Sequence, residues 1–169
     1  MKKNKIMIIG CGGIGSYLIS LLDRANRMNT TTMLYDITVY DPDVVETKNL
    51  SYQNFDADDV GLNKAEALSQ RFVFKSQPYK VLTPSQIEGY DLVICCADNL
   101  DVRKMLYKSG IRWLDLRAQG RAGLLVSSDE DPKLYSTLTA GPEGSFSCQG
   151  DNWDRSNQGV HFTHVAVAG

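Results

Sequence analysis

The sequence has few cysteines, and none of them has the spacing of a structural zinc site. Four cysteines occur in 169 residues, without a C-x-x-C pair, which argues against a zinc site built on paired thiolates. Cys11, Cys95 and Cys96 fall in apolar stretches and are expected to be core residues. Cys148 alone lies in a polar, loop-like context.

Long apolar runs and blocks of like charge are also missing. No apolar run approaches the about 20 residues that cross a bilayer, and the net charge is only −2. Neither a nucleic-acid surface nor a membrane surface is therefore expected. The basic start "MKKNKIMIIG" reaches a glycine turn before a signal-peptide core could form. We expect a cytoplasmic protein with one domain over residues 1–169.

Strand-like and helix-like segments alternate along the first 110 residues. The patterns predict strands at 5–10, 36–43, 79–82 and 90–99, and helices at 16–27, 63–73 and 100–110. Two short strands then flank a turn at Gln119 and Gly120, and residues 129–159 are predicted to be a long surface loop. This order indicates an α/β, Rossmann-like fold: a mostly parallel sheet with helices on both faces, followed by a C-terminal strand pair.

Three glycines interrupt the first apolar run, in "KIMIIGCGGIGSYL". Gly10, Gly12 and Gly15 fit G-x-G-x-x-G, between a predicted strand and a predicted helix. Gly10 and Gly12 allow backbone N–H groups to approach a phosphate, and Gly15 lets the helix pack on the strand. The helix N-terminus adds partial positive charge. The pattern serves nicotinamide and flavin dinucleotides as well as ATP, so it leaves the nucleotide open.

Notable polar residues follow three of the predicted strands. The glycine turn follows the first, Asp41 lies near the end of the second, and Asp98 with Asn99 ends the fourth. Ligands of such sheets bind beyond the carboxyl ends of the strands, so these residues are expected to share one crevice. Asp41, 26 residues after Gly15, is suited to hold a ribose, which ATP and NAD both have.

The polar stretch "DPDVVETKNLSYQNFDADDVGLNKAEAL" favours ATP. A nicotinamide enzyme has no obvious use for it, whereas Lys64 can neutralise β- and γ-phosphates. Asn49 and Gln53 can form hydrogen bonds on the triphosphate and ribose side. Asp98 can hold Mg²⁺ through a hard oxygen ligand, and Asp43 offers a second carboxylate.

Four motifs together resemble the ubiquitin-activating enzyme superfamily of the ThiF and MoeB type. They are "GCGGIGS", "YDPDVVETKNLSYQ", "DDVGLNKAEAL" and "DLVICCADNLDVR", and they cover roughly residues 5–126. The resemblance implies Mg·ATP-dependent adenylation of the C-terminal carboxylate of a ubiquitin-like or sulfur-carrier protein, and a homodimer. It assigns the ribose to Asp41, the phosphates to Asn49 and Lys64, and the metal to Asp98. Cys148 lies where family members that use a thiol acceptor carry that cysteine.

Departures from the family pattern leave alternatives open. Tyr52 in "NLSYQ" stands where the family's N-L-x-R-Q has an arginine, so one cation near the phosphates is missing. The paired C-x-x-C motif is absent. Arg103, Arg117 and Arg121 could replace the missing charge or could form structural ion pairs. A nucleotide-binding, partner-recruiting protein without catalysis is the second hypothesis, and an NAD-dependent oxidoreductase is the third.

Overall fold

A computed structural model describes residues 3–28, 35–119, 122–134 and 166–168. Six strands form one sheet in the order β3-β2-β1-β4-β5-β6. The strands are β1 (Asn4–Ile9), β2 (Tyr35–Tyr40), β3 (Lys75–Gln77), β4 (Leu92–Cys95), β5 (Trp113–Gln119) and β6 (Ala122–Ser127). The helices are α1 (Gly13–Met28), α2 (Lys64–Ser69) and α3 (Leu100–Lys108), with single 3-10 turns at Thr47–Ser51, Ala57–Asp59 and Pro84–Gln86.

The sheet is parallel except for its last strand. β1 pairs with β2 and β4, β2 with β3, and β4 with β5, all in parallel. β6 runs antiparallel to β5, from Leu114↔Ser127 to Gln119↔Ala122. The predicted Rossmann-like α/β fold with a C-terminal strand pair is therefore confirmed.

Helices cover both faces of the sheet. Successive strand residues point to opposite sides, so alternate residues of one strand are buried against different helices. Ile6 and Ile8 of β1 are buried in the same cluster as residues of α1 and α2. Met7 and Ile9 are buried in a second cluster with Val102 and other residues of α3. β1 is apolar on both faces, as expected for the centre of a parallel sheet. None of the helices in the described ranges is long and apolar enough to cross a bilayer.

The bounds of three predicted elements differ most from the structure. The fourth strand is Leu92–Cys95, shorter than the predicted 90–99. The third strand is Lys75–Gln77 and not 79–82, since Pro78 lacks the N–H group that would continue the pairing of this edge strand. The helix predicted at 63–73 is shorter, Lys64–Ser69. Beyond it the chain tightens into a turn in which Arg71 N–H and Phe72 N–H both donate to the Leu68 carbonyl. Most of the loop predicted at 129–159 lies outside the described residues.

Candidate functional site

A cleft of about 380 Å³ opens at the carboxyl end of the parallel strands. Its lining includes six of the predicted site residues: Gly10, Gly12, Asp41, Asp43, Lys64 and Asp98. They come from the ends of β1, β2 and β4 and from the first residue of α2. The predicted convergence of three strand ends on one crevice is thus confirmed.

The glycine turn brings the N-terminus of α1 to the wall of this cleft. Gly10 has φ +98°, and a Cβ there would lie 2.8 Å from the backbone nitrogen of Ala97. A Cβ on Gly15 would lie 1.9 Å from the Gly10 carbonyl oxygen, so Gly15 serves close packing within the turn. Gly12 differs, because a Cβ there would meet only the Gln53 amide at 4.0 Å. Helix geometry leaves the first N–H groups of α1 without an intrahelical acceptor, which suits an anion.

Asp41 connects the glycine turn to the loop after β2. It is buried, and its Oδ2 accepts the Cys11 N–H at 2.6 Å while its Oδ1 accepts the Asp43 N–H at 2.8 Å. Burial raises the pKa of Asp41, and the two N–H groups and the Lys64 charge oppose that rise. Each carboxylate oxygen keeps a further lone pair that can accept a hydroxyl hydrogen bond.

Lys64 is held at the cleft by the start of α2. Its side chain is only 9% exposed, and its Nζ lies 3.6 Å from Asp43 Oδ2. The preceding residue, Asn63, caps α2 by accepting the N–H groups of Ala65 and Glu66. The Asn63 amide also donates to the carbonyls of Asp41 and Asp43. One side chain therefore fixes α2, and with it Lys64, against the loop that carries Asp41.

Replacing Asn63 with alanine is expected to destabilise the protein by about 1–2 kcal/mol, because the cap and both ties to the loop are lost. Asn63→Asp keeps the oxygen that caps α2 but removes the two donors, and it should have an intermediate effect. Urea denaturation at one pH measures both. Equal stability of Asn63→Ala and the parent protein would contradict the assigned role.

Asn49 and Gln53 do not belong to the lining of the cleft. Asn49 is buried, and its Oδ1 accepts the Glu46 N–H at 2.8 Å. Its amide nitrogen lies 3.5 Å from the hydroxyl of Tyr52, which is buried as well. Gln53 is close to Gly12 and has a buried Oε1 without a hydrogen-bond partner. The phosphate role of Asn49 stays a prediction, whereas Gln53 has free hydrogen-bonding capacity beside the glycine turn.

The donor set of the cleft fits a magnesium ion that arrives with phosphate groups. Asp43 and Asp98 both contribute to the lining, and their carboxylate side chains are 67% and 39% exposed. Within the described residues, no group of three or more His, Cys, Asp or Glu side chains could hold a metal ion. Mg²⁺ is ordinarily bound by one or two carboxylates together with substrate phosphates, so the arrangement suits a shared site.

The arginines considered as replacements for the missing cation have other partners. Arg117 is buried and donates to Asp115 Oδ2 from its Nε at 3.0 Å and its Nη2 at 2.7 Å. Arg103 is buried between Asp98 and Asp115. Both form structural ion pairs, and neither contributes to the lining of the cleft. Arg121 lies outside the described residues.

Cys11 and Cys95 do not have the properties of activated nucleophiles. Burial raises the pKa of the Cys11 thiol, and burial with the Asp115 charge raises that of Cys95 to about 12. A thiol becomes reactive when its pKa is lowered, so these two are core residues as expected. Cys96 contributes to the cleft lining, and Cys148 lies outside the described residues.

Sequence reasoning missed one lip of the cleft. Residues 79–82 form a loop that lines it, with Tyr79 62% and Leu82 73% exposed. The Gln86 side chain shapes this loop by accepting the N–H groups of Leu82 and Thr83 and donating to the Lys80 carbonyl. The signal was present in "QPYKVLTPSQ", where two prolines indicate a loop and not a strand. The cap Asn63 was also readable, as an asparagine before "KAEAL".

One known protein family covers the part of the chain that carries this cleft. The sequence profile of the ThiF family matches residues 1–126. The chain belongs to the ThiF family. The matched residues include the parallel strands β1 to β5, the helices α1 to α3 and every lining residue named above.

Individual relatives of this ThiF-family chain are distant. It is 31% identical over 122 residues to the adenylyltransferase and sulfurtransferase UBA4 of Yarrowia lipolytica, which covers 66% of the chain and 29% of that protein. The structure of TcdA (CsdL) has a TM-score of 0.57 and 25% identity and covers 69% of this chain and 50% of its own. E. coli MccB, solved with ATP, has a TM-score of 0.63 and 18% identity and covers 99% and 54%; this likeness concerns the fold alone.

The matched region is a minor part of the curated relatives. It spans 29% of the Yarrowia UBA4 sequence and 37% of the Candida albicans UBA4 sequence. The chain therefore corresponds to only a part of these longer proteins.

Proposed function

We propose that this chain binds Mg·ATP and adenylates the C-terminal carboxylate of a ubiquitin-like or sulfur-carrier protein, with release of pyrophosphate. The observation that carries the proposal is the placement of the glycine turn, Asp41, Lys64 and Asp98 around one cleft. Membership of the ThiF family and the likeness to a protein named an adenylyltransferase support the same reaction.

Each of these residues has a distinct part in the proposed reaction. The N–H groups at the start of α1 hold phosphate oxygens, and the fixed carboxylate of Asp41 accepts hydrogen bonds from the ribose hydroxyls. A carboxylate oxygen of the partner protein attacks the α-phosphorus, and the bond to the bridging oxygen of pyrophosphate breaks. Lys64 stabilises the negative charge that the leaving pyrophosphate gains. Asp98, with Asp43, would hold Mg²⁺, which when bound neutralises phosphate charge.

The partner and the acceptor are parts of the proposal that rest on the family resemblance. A ubiquitin-like or sulfur-carrier protein would present its terminal carboxylate. Cys148 is proposed as a thiol that attacks the acyl-adenylate, forming a thioester and releasing AMP. A homodimer in the cytoplasm belongs to the same proposal.

A second candidate function is nucleotide binding without catalysis. Tyr52 favours it, because a buried tyrosine stands where the family has an arginine, and a tyrosine side chain carries no permanent positive charge. The two functions differ in one measurement. An adenylating enzyme with its partner exchanges labelled pyrophosphate into ATP, whereas a binding protein gives a nucleotide affinity and no exchange.

The first test is the melting temperature of the protein with Mg·ATP, with Mg·AMP-PNP and with NAD. At a nucleotide concentration 100 times its Kd, we expect stabilisation by about 2.7 kcal/mol with both ATP compounds and none with NAD. The Asp98→Ala protein should lose most of the part of this stabilisation that depends on magnesium. Asp101→Ala is the matched control, because Asp101 is exposed and does not contribute to the lining.

Two outcomes would contradict the proposal. A shift with NAD alone would favour the oxidoreductase hypothesis. Equal magnesium-dependent shifts in the parent protein and in Asp98→Ala would remove Asp98 from the metal site while leaving nucleotide binding in place.

A further inference from the structure

Arg103 lies in α3 between two carboxylates of very different exposure. Its Nη1 is 3.4 Å from Asp98 Oδ1, and its Nε is 3.3 Å from Asp115 Oδ1. The Arg103 side chain is 5% exposed, the Asp115 side chain 0% and the Asp98 side chain 39%. A buried guanidinium, which keeps its charge in a protein, therefore reaches the cleft only through Asp98.

The second carboxylate oxygen of Asp115, Oδ2, already has hydrogen-bond donors of its own. Asp115 Oδ2 accepts hydrogen bonds from Arg117 and, at 2.5 Å, from the Tyr107 hydroxyl. Asp115 Oδ1 and Arg103 Nε both lack a hydrogen bond, although they lie 3.3 Å apart. Arg103 thus has an unused donor facing an unused acceptor, and a small rotation of either group could join them.

The contact with Asp98 is the more easily exchanged of the two. At 3.4 Å it is a long charge-assisted hydrogen bond, and water reaches the Asp98 carboxylate. A divalent cation at that carboxylate would compete with the guanidinium and would be repelled by it. Phosphate groups in the cleft would offset this repulsion, because they bring negative charge to the same place.

We infer that Arg103 is a positioning residue that neutralises Asp98 and thereby opposes cation binding there until a nucleotide's phosphates are present. When Asp98 turns to the cation, Arg103 stays in place through Asp115. The nucleotide-dependent part of this inference rests on the proposed function; the competition between Arg103 and a cation for Asp98 does not.

The test measures Mn²⁺ binding to the nucleotide-free protein. The electron paramagnetic resonance signal of free Mn²⁺ reports how much of the ion is unbound. Arg103→Met removes the charge and keeps an apolar stem, and it should lower the half-saturating Mn²⁺ concentration about fivefold or more. Adding ATP should then improve Mn²⁺ binding by a correspondingly smaller factor than in the parent protein. Arg103→Lys keeps the charge and should behave like the parent protein.

Two further substitutions complete the test. Arg103→Gln removes the charge but keeps a donor for Asp115, so it serves if Arg103→Met does not fold. Adding Asp98→Asn to either variant should abolish the gain in Mn²⁺ affinity. Unchanged Mn²⁺ affinity in a folded, charge-free variant would overturn the inference, as would a gain that survives Asp98→Asn. A parent protein that binds no ATP would instead refute the proposed function, and the nucleotide-free comparison would still test Arg103.

Discussion

Lys64→Met is expected to remove most of the preference of this protein for ATP over AMP. Lys64 is the buried cation of the cleft lining, and its ion-pair partner Asp43 is two-thirds exposed, so water can solvate Asp43 after the substitution. Affinity for AMP should change little, whereas affinity for Mg·ATP should fall toward that of AMP. Pyrophosphate exchange should fall by about 10²–10³, the usual effect of losing one group that stabilises transition-state charge.

Calorimetric titration with the two nucleotides measures this preference without a partner protein. Lys48→Met is the matched control, since Lys48 pairs with Glu46 and does not contribute to the lining. If Lys64→Met weakened AMP and ATP equally, the lysine would support the shape of the cleft and would not select for the outer phosphates.

Gly15→Ala is expected to have the largest effect on stability. The added Cβ would lie 1.9 Å from the Gly10 carbonyl oxygen and 3.3 Å from the Cys96 Cβ, and the first of these neighbours is backbone that cannot move aside without opening the turn. We expect a loss of about 3 kcal/mol or more, at the upper end of the effects of overpacking. Nucleotide binding should be lost with the geometry of the turn. Urea denaturation gives the first quantity and a melting-temperature shift with Mg·ATP the second.

Substitutions at two other glycines distinguish an effect on packing from an effect on ligand contact. A Cβ on Gly110 meets nothing within 4 Å, so Gly110→Ala should change neither stability nor binding appreciably. A Cβ on Gly12 meets only a side-chain amide at 4.0 Å, and Gly12 belongs to the lining of the cleft. Gly12→Ala should therefore fold normally and bind nucleotide less well. A Gly15→Ala protein as stable as Gly110→Ala would contradict the packing argument.

Local sequence patterns were sufficient to predict most of the strands and helices. An apolar run such as that of β1, followed by three glycines and a helical period, has few alternative structures, because strand, turn and helix each depend on neighbouring residues. The positions of Asp41 and Asp98 followed from the same reasoning, since parallel strands place their carboxyl ends at one edge. The predictions failed at β3 and at the end of α2, where pairing at a sheet edge and tightening of a helix end depend on few local interactions.

By itself the sequence determined the fold class, the family and the edge of the sheet where the site lies, because those depend on the order and period of residue types along the chain. Only the tertiary structure decided which candidates reach the cleft. Asn49 and Lys64 are both polar candidates in the sequence, yet Asn49 is buried within a 3-10 turn while Lys64 lines the cleft from a capped helix. Arg103 and Asp98 are five residues apart in the chain, but the tie from Arg103 to Asp115 depends on α3 packing against β5. Such contacts join residues distant in sequence, and their geometry is set by how the helices pack on the sheet.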